Sequence, residues 1–504
     1  MSLLWPILNH AIRSSRRTAV IDDQRRYTYA ELCGGALFIA DQIESATTNR
    51  HVGILLPTSG AFSATLLGIW LAKRVAVPLN YLLKPQELRY VIEDSGIDTI
   101  LTSDRMLEVL GKTNEADGPV IPSHVRLLKL EELDTYGMPP LRWPPQFGDD
   151  DLAVILYTSG TSGRPKGVML SHANMWLGAV SVAHYLGMAE DDVTLAVLPL
   201  SFDYGQSQLL STWYAGGCVV PLDYLFPRDV AKACARHAVT TLAAVPPLWL
   251  QLTDVEWPAE AIGSMRRLTN SGGALTLDLV RDLRGMFPQS QLFPMYGLTE
   301  AFRSTYLDPV LVDTHPTSMG RAIPFAEILV MADDGSLAGP GQEGELVHCG
   351  PLVAQGYWQD AERTAERFKP APAMSEYGGT AVWSGDRVLR DADGLLHFVG
   401  RRDAMIKSAG NRISPQEIES AAVASGLVAE AVALGVQDER LGHAIHLVVR
   451  PAGGSDDPES GLRKALQKEL PNFMQPHVIH WRDTLPLNPN GKLDRTAIAT
   501  EIGA

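Results

Sequence analysis

One short stretch of the chain combines hydroxyl side chains, glycines and a lysine in a way that suits a phosphate group. It reads Tyr157-Thr158-Ser159-Gly160-Thr161-Ser162-Gly163-Arg164-Pro165-Lys166-Gly167 and follows the apolar residues Leu152 to Leu156, which predict a buried strand. Such a loop offers backbone N–H groups, hydroxyls and one cation to a phosphate chain. It is not a Walker A loop, because Pro165 precedes the lysine where that motif has glycine. A plain flexible linker would not need the Pro-Lys-Gly ending after a buried strand.

This spelling resembles the phosphate loop of the AMP-forming ligase superfamily, which includes acyl-CoA synthetases, amino-acid adenylation enzymes and luciferases. The resemblance extends from about Tyr27 to Arg495 and rests on further segments in the family's order. These segments are Ser271-Gly272-Gly273-Ala274, Tyr296-Gly297-Leu298-Thr299-Glu300, Trp383-Ser384-Gly385-Asp386, Gly400-Arg401-Arg402-Asp403 and Asn488-Pro489-Asn490-Gly491-Lys492. Wider spellings, such as residues 296–306 (YGLTEAFRSTY), resemble exosortase A-associated acyl-CoA ligases and stand-alone amino-acid adenylation enzymes.

The resemblance implies a reaction in two halves. A carboxylate attacks the α-phosphate of ATP, which gives acyl-AMP and pyrophosphate, and a thiol then displaces AMP. ATP and Mg²⁺ are therefore expected, with coenzyme A or the phosphopantetheine arm of a carrier protein, acting in trans, as the acceptor. The first half needs neutralisation of the charge on the triphosphate and on the in-line transition state.

Carried over position by position, the resemblance assigns the nucleotide to the phosphate loop and three other segments. Thr299 would contact phosphate beside Lys166, and Glu300 would hold Mg²⁺, since a cation that bridges phosphates usually takes one or two carboxylates. Asp386 would accept the ribose hydroxyls, with Arg401 nearby. The expected ATP- and AMP-binding residues are Thr158, Ser159, Gly160, Thr161, Ser162, Gly163, Gly272, Gly273, Ala274, Tyr296, Gly297, Asp386 and Arg401. Without this context, residues 296–300 would indicate only a capped helix start, and Asp386 only a turn aspartate.

Two segments near the C-terminus would supply the groups that change between the half-reactions. Lys492 would bridge the substrate carboxylate and the α-phosphate, although a lysine on an Asn-Pro-Asn-Gly turn is otherwise an exposed surface lysine. Lys407 and Gly410 lie in a segment that resembles the loop entering the site for the thiol step. Asp403 matches the family's hinge position, and on its own it would be a solvated turn residue.

Two opposite charges mark the expected acid pocket. Asp203, followed by Tyr204, matches the amino-acid adenylation pattern, in which the aspartate holds the substrate ammonium group. Arg303 and Ser271 lie where the family lines the same pocket. Either Asp203 and Arg303 pair with each other, or Asp203 takes an amine while Arg303 with Ser271 takes a second carboxylate. The second account favours a small amino dicarboxylic acid. The alternative is a medium- or long-chain fatty acid, which needs neither charge.

The elements that must position these residues indicate an α/β protein. Strand-like and helix-like pieces alternate between residues 50 and 105 and again between 195 and 245, which predicts parallel layers. Residues 333–344 predict a hairpin turn before a strand of antiparallel character. With the resemblance, we expect a large N-terminal domain (1–402) of layered, parallel-rich sheets and helices with a small β-barrel-like part. A small, mobile α+β C-terminal domain (403–504) is expected to follow.

Composition narrows the function further. The chain has 504 residues and a formal net charge of −15, with no basic run, so neither a nucleic-acid partner nor a polybasic membrane anchor is expected. Four scattered cysteines and the absence of a long apolar stretch predict reduced thiols and no membrane span, in a cytoplasmic protein. A luciferase-type oxygenase finds no support in the residues. A catalytically inactive scaffold would not need Lys166, Glu300, Asp386 and Lys492.

Overall fold

The computed structural model describes most of the chain. It covers residues 2, 4–111, 119–133, 142–158, 164–401, 405–408, 411–438, 440–453 and 457–504, with the backbone alone at 407, 411 and 412.

Helices and strands alternate through most of the described chain. The α-helices are α1 (Leu4–Arg13), α2 (Tyr29–Ala46), α3 (Gly60–Leu71), α4 (Pro85–Ser95), α5 (Asp104–Gly111), α6 (His172–Tyr185), α7 (Asp203–Ala215), α8 (Pro227–His237), α9 (Pro246–Thr253), α10 (Ala259–Ser264), α11 (Leu277–Met286), α12 (Ala361–Arg367), α13 (Pro415–Ala424), α14 (Pro458–Glu469) and α15 (Arg495–Ile502). Short 3₁₀ turns occupy Leu130–Glu132, Thr299–Ala301, Pro309–Leu311 and Asn472–Met474.

The strands form three sheets. They are β1 (Thr18–Ile21), β2 (Arg26–Thr28), β3 (His51–Ile54), β4 (Val75–Pro78), β5 (Thr99–Thr102), β6 (Arg126–Lys129), β7 (Leu152–Thr158), β8 (Lys166–Ser171), β9 (Val193–Ala196), β10 (Cys218–Pro221), β11 (Thr241–Ala244), β12 (Arg267–Asn270), β13 (Gln291–Tyr296), β14 (Thr305–Tyr306), β15 (Ser318–Ala322), β16 (Glu327–Met331), β17 (Glu343–Cys349), β18 (Phe368–Pro370), β19 (Thr380–Arg390), β20 (Leu396–Arg401), β21 (Ile406–Ser408), β22 (Asn411–Ile413), β23 (Val428–Asp438), β24 (Gly442–Pro451) and β25 (Val478–Trp481).

Two of the sheets contain the parallel layers of the large domain. One has the order β6-β5-β3-β4-β7-β8 and is parallel except for β8, which returns antiparallel to β7. In the other, β1, β10, β9, β11, β12 and β13 lie side by side and parallel. The predicted parallel α/β layers are therefore confirmed. Because parallel strands end at the same edge, their C-terminal loops meet in one place, where ligand sites of such sheets lie.

The second sheet continues beyond β13 as antiparallel strands in the order β14-β15-β20-β19-β17-β16. These strands contribute Met319, Leu346 and Val388 to an apolar cluster, and the small barrel-like part expected in this domain stays a prediction. Strands β16 and β17 pair antiparallel from Glu327 opposite Cys349, which confirms the hairpin turn predicted for residues 333–344.

The small C-terminal domain has its own sheet and its own core. Strands β22-β21-β24-β23 pair antiparallel, and β25 adds parallel to β24. Helices α13 and α14 contribute Ile418 and Leu462 to an apolar cluster that is separate from the large domain. The domain boundary predicted at 402/403 lies in residues outside the described chain and stays a prediction.

Local sequence signals explain several of these elements. Thr28 and Glu31 form a reciprocal capping box at the start of α2, with each side chain accepting from the other residue's backbone N–H. The fully buried indoles of Trp70 and Trp213 donate to the carbonyls of Ala153 and Ala19, so these large apolar side chains leave no polar atom unpaired.

The four cysteines are unpaired and buried. Among the helices described, none is long and apolar enough to cross a membrane.

Candidate active site

The phosphate-loop segment begins and ends on adjacent strands. Thr158 is the last residue of β7, Lys166 is the first of β8, and the two lie opposite each other in the antiparallel pair. Strand β7 therefore extends two residues beyond the apolar run that predicted it. The intervening Ser159, Gly160, Thr161, Ser162 and Gly163 lie outside the described residues. The Thr158 hydroxyl is buried without a hydrogen-bond partner in the described part of the chain, as expected of a group reserved for a ligand.

Lys166 and Glu300 form a partly buried ion pair that a third residue completes. The Lys166 Nζ donates to Glu300 Oε1 at 2.8 Å and to the Tyr357 hydroxyl at 2.8 Å, while that hydroxyl donates to Glu300 Oε1 at 2.7 Å. Burial opposes ionisation of Glu300, but the Lys166 charge and these hydrogen bonds outweigh it and hold the pKa of the carboxyl below its ordinary value. Glu300 is thus kept as a carboxylate beside the end of the phosphate loop.

Tyr357 was not among the residues singled out from the sequence. Its backbone bridges to Val168 of β8, and the next residue, Trp358, donates its N–H to Gly167 at 2.7 Å. The segment that carries Tyr357 is therefore attached to the strand that carries Lys166. No local signal marks it, because the pairing joins residues that are almost two hundred positions apart.

The predicted ribose residues also meet in space. Asp386 and Arg401 are a cross-strand pair of β19 and β20, and the Arg401 Nε lies 3.0 Å from Asp386 Oδ1. The Tyr296 hydroxyl donates to the other carboxylate oxygen. Burial and the Asp386 charge raise the pKa of Tyr296 well above its ordinary value, so this hydroxyl keeps its proton.

The turn predicted to approach the adenine directly follows β12. Gly272 has φ +83°, a conformation that favours glycine, and the Asn270 side chain donates to the Gly273 carbonyl at 2.8 Å. Ala274 continues this turn on the exposed side. A Cβ on Gly272 would lie 2.4 Å from Cε and 2.9 Å from Nζ of Lys492. The Lys492 side chain therefore packs against Gly272, in the space that a larger side chain at this position would occupy.

Lys492 reaches the site from the C-terminal domain. The Asn488 side chain accepts from the backbone N–H groups of Asn490 and Lys492, each at 3.0 Å, which fixes the turn. The Lys492 Nζ lies 5.0 Å from the centroid of the Phe202 ring. Lys492 is half-buried, which corrects the expectation of an exposed turn lysine, because the turn packs against the large domain. Burial lowers the pKa of Lys492, and the Asp203 charge opposes that shift.

Asp203 and Arg303 lie in the same pocket but do not pair directly. Asp203 is the first residue of α7, is 4% exposed, and accepts from the Thr299 hydroxyl at 2.9 Å. The Thr299 hydroxyl, which is expected to contact phosphate, thus donates to a residue of the acid pocket in this structure. Burial raises the pKa of Asp203, while the charges of Arg303 and Lys492 oppose the shift. Arg303 donates through Nη1 to the Ser271 hydroxyl at 3.0 Å, and its guanidinium carbon lies 4.5 Å from the Tyr204 ring centroid.

A strained turn aims Arg303 into this pocket. Phe302 has φ +58° and ψ −57°, and the Arg303 N–H donates to the Ala301 carbonyl at 2.6 Å, which defines the rare γ-turn with positive φ. A Cβ on Gly178 would lie 2.3 Å from the Phe302 ring, so Gly178 provides the space that this ring occupies. Strained backbone of this kind persists only where the surroundings hold it, and it is frequent at functional sites. Sequence reasoning gave no sign of this turn.

The residues expected for the thiol step fall largely outside the described chain. Asp403 and Gly410 are among the residues that the structure leaves undescribed, and Lys407 is placed on β21 by its backbone only. Their assignments stay predictions.

The arrangement suits charge neutralisation around a triphosphate, with a lysine placed between that region and a polar acid pocket.

A family model for AMP-binding enzymes matches residues 8–358, and a model for the AMP-binding enzyme C-terminal domain matches residues 417–492. The chain is similar to feruloyl-CoA synthase of an Amycolatopsis species, at 30% identity over 99% of this chain and 98% of that protein.

Two further similarities come from a large synthase and a solved structure. Tyrocidine synthase 2 of Brevibacillus parabrevis is 30% identical over 98% of this chain, which spans only 14% of that protein. The structure of o-succinylbenzoate CoA synthetase from Bacillus subtilis, with its acyl-adenylate intermediate, superposes with a TM-score of 0.82 at 26% identity. That match covers 99% of this chain and 98% of the other.

Proposed function

The chain belongs to the family of AMP-binding enzymes, and from that premise we propose that it is an ATP-dependent, AMP-forming acid–thiol ligase. It joins a carboxylic acid to AMP with release of pyrophosphate, and then passes the acyl group to a thiol. The observation that carries this proposal is the position of Lys492, which comes from the C-terminal domain and rests on Gly272 beside Asp203 and Arg303. A cation placed there stabilises the negative charge that develops as the carboxylate attacks the α-phosphate.

The Lys166–Glu300–Tyr357 cluster would receive the triphosphate. Glu300 is a preformed carboxylate and fits Mg²⁺, which usually binds through one or two carboxylates together with substrate phosphates. Magnesium would neutralise phosphate charge during transfer. Lys166 exchanges its partner Glu300 for a phosphate oxygen, and the Thr158 hydroxyl contacts the phosphates. The phosphate contacts predicted for residues 159–163 lie outside the described residues. Asp386 and Arg401 hold the ribose, with Tyr296 and Gly297 beside the base.

The second half-reaction requires a different use of the C-terminal domain. We place the domain boundary at 402/403 and a hinge at Asp403, so that Lys492 leaves and the segment around Lys407 and Gly410 enters. The thiol belongs to coenzyme A or to a carrier protein. In Asp403→Pro, which fixes one backbone angle, one half-reaction should survive and the other collapse. Equal loss of both halves in a normally folded protein would contradict the hinge.

The favoured acid is a small amino acid with a second carboxylate. Asp203 offers an anion to an amine, and Arg303 with Ser271 offers donors to a carboxylate. The runner-up is a medium- or long-chain fatty acid. It is less favoured, because an alkyl tail would leave these buried polar groups unsatisfied.

The test is ATP–pyrophosphate exchange measured with separate sets of amino acids, dicarboxylic acids, aromatic acids and fatty acids, with the nucleotide product identified. Acid-dependent exchange and formation of AMP, rather than ADP, are expected. Formation of ADP, or exchange independent of any acid, would overturn the proposal. Among active acids, the best exchange with octanoate or longer chains would favour the runner-up.

A further inference from the structure

Within the proposed ligase function, the two charged residues of the acid pocket differ in whether their partners are already present. Asp203 accepts from the Thr299 hydroxyl at 2.9 Å and lies in the field of two cations, Lys492 and Arg303. Arg303 is 2% exposed, and only its Nη1 donates, to Ser271. Its Nε and Nη2 are buried without a hydrogen-bond partner, and no carboxylate of the described chain forms an ion pair with it.

A buried guanidinium in this state is incomplete. Arginine keeps its charge in proteins, and a buried charge without an anion or full hydrogen bonding is unfavourable. The Nε and Nη2 groups form one edge of the planar fork, which matches the two oxygens of a carboxylate. Asp203 acts on Arg303 through its charge but not through a hydrogen bond, so the partner that these two donors lack is a group with carboxylate geometry.

Arg303 also lines a small, partly open cavity. We call it the inner cavity; it has a volume of about 20 Å³, enough for a group the size of one water or slightly more. Its polar lining includes Arg303, Tyr204, Ser207, Gln208 and Thr241.

The reacting end of the pocket is close by. Ser271 holds Arg303, and the next residue in the chain, Gly272, touches Lys492. Since neighbouring Cα atoms are about 3.8 Å apart, the two cationic side chains converge on one turn. A substrate that reaches both must be short.

We propose that the inner cavity is a subsite for the far carboxylate of a short dicarboxylic acid, held by Nε and Nη2 of Arg303, while the other carboxyl group is adenylated beside Lys492. An alkyl or aromatic tail would leave the Nε and Nη2 donors of Arg303 unsatisfied. An amine on the substrate contributes less than the far carboxylate, because Asp203 already has a hydroxyl donor and two nearby cations.

The experiment compares three acids of one size in ATP–pyrophosphate exchange. Succinate carries the far carboxylate, 4-methylpentanoate replaces it with an isopropyl group of similar shape, and aspartate adds an amine to succinate. The far carboxylate should raise kcat/KM on the order of 10²-fold over the isopropyl acid, a larger factor than the amine contributes. Equal or better exchange with 4-methylpentanoate or with longer apolar acids would overturn the subsite and leave the ligase function standing. Absence of exchange with every acid would overturn both.

Two variants locate the effect. Arg303→Met should abolish the preference for succinate over 4-methylpentanoate, whereas Arg281→Met, at an exposed arginine paired with Asp278, should keep it. Thermal unfolding gives a second readout that does not depend on turnover. Succinate with α,β-methylene-ATP, an analogue that cannot release pyrophosphate, should raise the Tm of the wild type more than 4-methylpentanoate with the same analogue, and Arg303→Met should lose this difference. Retention of the succinate preference in Arg303→Met would overturn the proposal; if that variant does not fold, the wild-type kcat/KM and Tm comparisons decide.

Discussion

The nucleotide half and the acid half of the site are prepared for their ligands in opposite ways. On the nucleotide side, Lys166 pairs with Glu300, and Asp386 lies 3.0 Å from Arg401, so opposite charges are paired within the protein. On the acid side, Arg303 keeps buried donors that have no partner in the described part of the chain. The nucleotide must therefore replace ion pairs that already exist within the protein. The acid, in contrast, supplies a hydrogen-bond partner to donors that have none.

This difference has a physical rationale. MgATP carries both signs of charge. Its phosphates can take the place of Glu300 beside Lys166, and its Mg²⁺ can take the place of Lys166 beside Glu300, so both side chains keep an oppositely charged partner. A small acid brings few groups, and it is bound selectively where the pocket presents charged donors that only the right acid satisfies. The contrast therefore concerns charged groups: they are paired on the nucleotide side, whereas Arg303 on the acid side keeps donors for a substrate.

The largest effect is expected at the residue that lies between the halves. Lys492→Ala should lower acyl-AMP formation by roughly 10²–10³-fold, as when one preorganised electrostatic donor is removed. The fold should persist, because the half-buried side chain rests on a surface turn. Thioester formation from supplied acyl-AMP should change far less. Normal pyrophosphate exchange in this variant would remove Lys492 from the adenylation step.

Because Lys492 rests on Gly272, a substitution at this glycine should affect one half-reaction, adenylation, more than the other. A Cβ at Gly272 would lie 2.4 Å from Lys492 Cε, whereas a Cβ at Gly273 meets only Pro246, at 3.0 Å. Gly272→Ala should therefore lower adenylation on the order of 10²-fold by displacing the lysine. Gly273→Ala is the matched control. If Gly272→Ala impaired thioester formation from acyl-AMP equally, the glycine would serve the nucleotide and not the lysine.

Tyr357 tests the pairing on the nucleotide side. Tyr357→Phe removes the hydroxyl that donates to Glu300 at 2.7 Å and accepts from Lys166 at 2.8 Å. We expect the KM for MgATP to rise about tenfold, the usual scale for one hydrogen bond to a charged group, with little change in the ratio of rates for different acids. A changed acid preference with unaltered KM for MgATP would show that the two halves are not separate.

The smallest effect concerns stability behind the acid pocket. Burial lowers the pKa of His348 to about 3, and its Nδ1 bonds the hydroxyl of Ser304, the residue after Arg303. The unfolded chain takes up this proton near pH 6.5, so stability falls as pH drops from 6.5 towards 3, by at most about 1.4 kcal/mol per pH unit. In urea unfolding at pH 7 and pH 5, His348→Gln should show a smaller decrease than the wild type. An identical decrease would mean that His348 is not the titrating group.

The sequence was sufficient for the parallel layers, because strand-like and helix-like segments alternate clearly, and for the pairing of β16 with β17. It also identified residues that prove to be neighbours, such as Lys166 with Glu300 and Asp386 with Arg401. Tyr357 and the γ-turn at Phe302 could not be found, because long-range packing alone brings them to the site. The half-buried state of Lys492 likewise depends on how one domain packs on the other, which local sequence does not encode.

The most direct test of the contrast between the two halves is the ratio of kcat/KM for succinate to that for 4-methylpentanoate in ATP–pyrophosphate exchange by the wild-type enzyme. Two buried nitrogens of Arg303, Nε and Nη2, have no hydrogen-bond partner among the described residues, so the ratio should be on the order of 10² in favour of succinate. A ratio of one or below, at equal MgATP, would contradict the claim that the acid half is completed by a carboxylate.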